Sequence, residues 1–160
     1  MRTIKRILAA VDFSLFSSQV LRFAADLARE LEAELAVVNV LNQRDVQAIE
    51  MIGTTYAAPT TEQFIKAATA ERYGLLDKLL VEVGAASMGV KKLIRVGVPF
   101  KEILRAVEEE KPDLLVMGTK GRGNLADVLF GSTAEKVFRR CPVALASVRP
   151  PRQSFSERAG

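Results

Sequence analysis

A stretch with three glycines in six residues, Gly118-Thr119-Lys120-Gly121-Arg122-Gly123, follows an apolar run, Leu114-Leu115-Val116-Met117. Gly131-Ser132-Thr133 then opens a helical pattern over Ala134 to Arg139. A glycine-rich turn between a strand and a helix N-terminus is where α/β proteins hold phosphates. Glycine lets the backbone approach an anion, and successive N–H groups can then point at it. The spacing Gly118-x2-Gly121-x9-Gly131-Ser132 lacks the Gly-Lys-Ser/Thr ending of a Walker A loop. It is also not the dinucleotide Gly-x-Gly-x-x-Gly. It predicts a nucleotide binder of another kind.

The composition narrows the chemistry. No histidine is present, which removes Ser-His-Asp and Cys-His catalysis and histidine-ligated metal sites. The single cysteine, Cys141, cannot form an intrachain disulfide and suits a reducing cytoplasm. The net charge of +4 favours anionic ligands mildly, without the basic blocks of a nucleic-acid arm. No apolar run approaches the ~20 residues of a membrane helix. The basic N-terminus leads into a short apolar strand broken by Asp12, not a signal peptide.

The elements that must position the glycine loop follow from periodicity. Strands are predicted at residues 4–11, 34–40, 91–96, 113–117 and 142–148. Helices are predicted at 14–31, 61–83, 99–110 and 132–140. Val20, Ala24, Leu27, Ala28 and Leu31 fall on one face of the first helix, with Ser14 as its N-cap. In the second helix Phe64, Ala67, Ala68, Leu75, Leu79 and Val83 would line the buried side. Pro99 opens the third, and Ser132-x-x-Glu135 has the form of a capping box on the last. Residues 41–60 read as a long loop, in which Met51, Ile52 and Tyr56 form either a lid or ordinary packing. Strands apolar on both sides, alternating with helices, predict a single α/β domain. Its sheet would be doubly wound, mostly parallel and five-stranded, with helices on both faces, Rossmann-like. That domain spans residues 1–149, and 150–160 is a polar tail expected to be disordered. Ligands of such sheets sit beyond the strands' carboxyl ends, where strand order reverses. The first and fourth strands would flank that crevice and bring Asp12 and Gly118 to it.

Ala10-Val11-Asp12-Phe13-Ser14, Asn39-Val40 and the glycine pattern together resemble the universal stress protein family, ATP-binding branch. Gly97-x-Pro99 and Cys141-Pro142-Val143 are also similar to it. The likeness runs from Lys5 to Val148. It implies a nucleotide site built from Ala10, Val11, Asp12, Val40, Met117, Gly118, Thr119, Gly121, Arg122, Gly123, Gly131, Ser132 and Thr133. Within it, Gly118, Gly121, Gly131 and Ser132 would hold the triphosphate and ribose, and the Val40 backbone would meet the adenine edge. Met117 would lie beneath the nucleoside. The resemblance implies that Asp12 sits near the ribose or phosphates, through a nucleotide-bound divalent cation, Mg or Mn. Asn39 departs from the family, where histidine is frequent.

The ligand implied is ATP, or AMP or ADP. The assembly implied is a homodimer through the last strand, working with a regulatory protein partner in the cytoplasm, without nucleic acid or membrane. Plainer readings stand beside these. The glycines can serve a turn, Asp12 a cap, Lys120 and Arg122 a solvated loop. Arg139-Arg140 suit a helix C-terminus, Cys141 is a packed thiol, and Asp127 has no assigned role. The functional reading is a nucleotide-dependent sensor or partner switch. Its alternatives are a slow ATPase or autophosphorylating protein, and a nucleotide-free scaffold.

Overall fold

A computed structural model of the chain describes residues 3–53, 59–120 and 130–150. The order is β1 (Arg6–Ala10), α1 (Ser17–Leu31), β2 (Glu34–Asn42), α2 (Gln43–Ile52), α3 (Thr61–Glu82), β3 (Lys91–Gly97), α4 (Pro99–Glu110), β4 (Leu114–Gly118), α5 (Ser132–Arg140) and β5 (Ala144–Val148). All strand pairs are parallel, in the spatial order β3-β2-β1-β4-β5. The chain winds outward from β1 in one direction and then from β4 in the other. The reversal between β1 and β4 is the predicted switch point.

The two-residue period of a strand sorts its side chains onto two layers. Ile7, Ala9, Val37, Leu114 and Val116 pack against α1 and α3. Leu8, Ala10, Val38, Leu115 and Met117 pack against α4 and α5. Burial on both faces is why these strands read as unbroken apolar runs. α1 docks through Val20, Leu21, Ala24, Ala25 and Ala28, and the three alanines let it lie close to the sheet.

Four readings are corrected. Residues 43–52 form α2 rather than loop; Asn42 caps it by accepting from the Arg44 N–H (3.1 Å), and of its ten residues only Val46 is buried. One anchor leaves no stripe for periodicity to detect. In α3 the buried side chains are Leu76 and Leu80, with Leu79 half-buried and Val83 closing the stripe. Leu75 and Ala67 face outward, so the predicted face was rotated. Ser14 does not cap α1, which starts at Ser17 with Phe16 as N-cap. Ser132 does not cap α5 either, because Gly131 holds that position without a side-chain bond. Strand limits otherwise differ by one or two residues. Tyr56, Asp127 and the tail from residue 151 lie outside the described residues.

The turn into α4 has a packing reason for its glycine. Gly97 adopts φ +156°, and a Cβ there would stand 2.8 Å from Cγ of Glu102. Glu102 folds over the turn, buried, and accepts from Arg105 at 2.7 Å. Pro99 follows as the first helical residue, where its missing N–H costs nothing.

Candidate functional site

The carboxyl ends of β1, β2 and β4 open into a crevice of about 810 Å³. Its apolar floor includes Ala10, Val38, Val40 and Met117, and Ile103 adds to it from α4. Polar groups enter from three sides. Asp12 and Ser17 come from the turn after β1 and the start of α1. Asn42, Arg44 and Asp45 come from the start of α2. Gly131, Ser132, Thr133 and Glu135 come from the start of α5. Arg72 and Lys120 add positive charge, so the wall carries both signs.

Two backbone features at this crevice follow from the topology. The Val11 N–H, one residue past the end of β1, donates to the Val38 carbonyl (3.0 Å). Along a strand, alternate residues aim N–H and C=O at the same neighbour. Val40 therefore presents its pair to the side that β1 has already left. At α5, helix geometry leaves the N–H groups of Ser132, Thr133 and Ala134 without intrahelical acceptors. The N-cap glycine supplies no side-chain acceptor in their place.

The Asp12 turn is built differently. Asp12 Oδ1 accepts from the Ser14 N–H (2.9 Å) and the Ser17 hydroxyl (3.2 Å). Ser14 Oγ accepts from the Phe16 N–H at 3.3 Å. Phe13 takes a left-handed φ of +58° to make the bend. Gly118 sits where β4 leaves the sheet, and a Cβ would lie 3.3 Å from both the Lys120 carbonyl and Val20 Cγ2. That close approach gives Gly118 a packing role as well.

The crevice brings together Ala10, Val11, Asp12, Val40, Met117, Gly118, Gly131, Ser132 and Thr133 of the predicted set. Thr119 does not line it. It is buried, its N–H donates to Val148 (3.1 Å) and its carbonyl accepts from Gly131 (2.7 Å), so it ties the loop to β5 and α5. Gly121, Arg122 and Gly123 lie outside the described residues. Sequence reasoning missed Arg72 and the α2 residues Arg44 and Asp45. Asn39, noted only as a departure, is 2% exposed, with both amide atoms bonded. An asparagine inside an apolar strand was the available signal.

Metal ligation was assigned to Asp12 alone. Among the described residues no group of three His, Cys, Asp or Glu could hold a metal ion. Outside the crevice, the carboxyl of Glu109, on α4, is held below the usual carboxylate range by a hydrogen bond from Arg95. Cys141 is half-buried against the layer beneath α4 and α5, as expected for a packed thiol. Met51 and Ile52 are exposed on α2. Among the described residues no helix is long and apolar enough to cross a membrane.

A model of the universal stress protein family matches residues 3–149. The universal stress protein YxiE of Bacillus subtilis is 31% identical over 146 residues, covering 88% of this chain and 97% of its own. The solved structure of MJ0577 from Methanocaldococcus jannaschii superposes with a TM-score of 0.76 at 23% identity, over 95% of this chain and all of that one. A universal stress protein solved in complex with cAMP gives a TM-score of 0.67 at 21% identity, over 92% of this chain and 98% of that one.

Proposed function

Because the chain belongs to the universal stress protein family, we propose that it is a cytoplasmic regulator that holds ATP in the switch-point crevice as an effector. The observation that carries this reading is the continuity of the cavity. One crevice joins the uncapped start of α5 to the strand-end backbone of Val40 across an apolar floor. That sequence of surfaces matches a nucleotide from its phosphates to its base.

In this reading Gly118, Gly131, Ser132 and Thr133 receive the phosphates through backbone N–H and hydroxyl groups. Met117 and Ala10 lie under the nucleoside. The Val40 N–H and C=O pair with the adenine edge, which offers one acceptor and one donor. Asp12 faces the ribose, or a divalent cation carried in by the phosphates. The cAMP complex of a structural neighbour supports the choice of adenine. Hydrolysis is slow in this reading, because Asp12 is the one strand-end carboxylate offered to the phosphates among the described residues. A lone carboxylate that helps hold a divalent cation gives little means of orienting an attacking water as well. The nucleotide then persists and selects a surface for a regulatory protein partner.

Titration calorimetry with ATP and GTP tests the ligand. ATP should bind more tightly; equal or absent binding removes the adenine reading. Assembly is the second part of the proposal. β5 is an edge strand of the sheet, and pairing with a second copy would cover it in a two-fold dimer. Light scattering at micromolar concentration should give twice the chain mass, and a monomer would remove that part.

A further inference from the structure

We propose that Asn39 and Arg72 form a strap that positions the Asp12 turn and couples α3 to the crevice; its ligand arm rests on the nucleotide reading above. Asn39 lies on the side of β2 that faces α1 and α3, where Val37, two residues earlier, is buried among apolar side chains. A buried amide in such a layer is costly unless both of its ends are bonded. Here both are. Nδ2 donates to the Val11 carbonyl and Oδ1 accepts from Nη1 of Arg72, each at 2.8 Å. The orientation is fixed by chemistry, since a carbonyl only accepts and a guanidinium only donates.

The two ends of the turn are thereby held by one side chain of α3. At Val11 the hold is relayed through Asn39. At Phe13 it is direct, because the Arg72 guanidinium carbon stands 6.0 Å from the ring centroid. Phe13 is the residue with φ +58°, a conformation that a bulky L-residue keeps only when its surroundings enforce it. Asp12 lies between these two fixed points and lines the crevice. Arg72 and Asn39 are positioning residues in this scheme. A movement of α3 would reach the carboxylate of Asp12 through two hydrogen bonds and one ring contact.

The test compares the wild type with Arg72→Met, Arg72→Lys and Arg22→Met. Arg22 also joins α1 to the end of α3, through the Glu82 carbonyl (3.5 Å), but away from the crevice. Hydrogen exchange of the nucleotide-free proteins reads the turn, and calorimetry with ATP reads the site. Arg72→Met should speed exchange in residues 11–17, leave β4 and α4 unchanged, and weaken ATP binding about fivefold to tenfold. Arg72→Lys should restore part of both, because an ammonium can still donate to Asn39 but cannot lie flat over Phe13. Arg22→Met should leave residues 11–17 unaltered. Unchanged exchange over 11–17 in Arg72→Met overturns the strap, and faster exchange with unchanged ATP affinity overturns its role in positioning. Should Arg72→Met not fold, Arg72→Lys decides by the same two readouts at smaller amplitude. A wild type that binds no nucleotide removes the function proposed above, and the exchange arm alone then upholds or overturns the strap.

Discussion

The starts of α1 and α5 both line one crevice, yet among the described residues only the turn before α1 brings a carboxylate of its own. At α1 the turn is closed on itself. Asp12 takes the Ser14 N–H and the Ser17 hydroxyl, and Ser14 takes the Phe16 N–H. At α5 the N-cap is Gly131, which has no side chain to offer, and the first N–H groups of the helix open toward the cavity. Both helices begin with serine, but Ser17 is buried and Ser132 is exposed. The contrast separates a wall from a receptor. Neither helix has a side-chain cap, but the turn before α1 places its own carboxylate beside the positive end of the dipole, whereas the start of α5 keeps that end for a ligand. Glu135 stands in the first turn of α5, but it is ion-paired with Arg139 at 2.8 Å, one turn further on.

The strongest way to break the contrast is to give α5 the anion that α1 already has. Gly131 has φ −66° and ψ 161°, which an aspartate adopts without strain. Gly131→Asp should stabilise the fold by a few tenths to about 1 kcal/mol, through the cap and the dipole. The same carboxylate would sit where the phosphates belong, and ATP affinity should fall more than about 100-fold. Gly131→Asn caps without charge and should lose much less. Thermal denaturation and calorimetry read the two effects separately. A more stable Gly131→Asp protein that still binds ATP normally would place the phosphates away from α5.

The same contrast explains what was legible in the sequence. The sheet was readable because its strands are apolar on both faces and its glycines and prolines mark their ends, as Gly97 and Pro99 do before α4. Asp12, Gly118 and Gly131 reach the crevice because strand order reverses between β1 and β4, a consequence of the alternating pattern itself. Caps were less readable. A Ser-x-x-Glu sequence can begin one residue inside a helix as well as at its cap, and Gly131 takes the cap position ahead of Ser132. The register of α3 failed because leucines occur at 75, 76, 79 and 80, and two faces of the helix fit that pattern equally well. α2 and Arg72 were missed for a related reason. Each acts through contacts set by tertiary packing, and neither has a period to betray it.

A smaller change, made identically on both sides, sharpens the comparison further. Ser17 and Ser132 are each the first residue of their helix. Removing the Ser17 hydroxyl takes a buried donor from Asp12 and should cost about 1 kcal/mol of stability. Ser14 still donates its N–H to that carboxylate, so the wall keeps its shape and ATP affinity should change by no more than about twofold. Ser132→Ala removes an exposed hydroxyl that caps nothing, and stability should stay within about 0.5 kcal/mol. If that hydroxyl meets a phosphate, its loss weakens ATP about fivefold, the worth of one ordinary hydrogen bond. The same atom deleted at equivalent helix positions should thus lower the melting temperature on one side and the affinity on the other. Denaturation and titration of both variants would show it. Two serines that behave alike, in either measurement, would mean that the starts of α1 and α5 do not differ in kind.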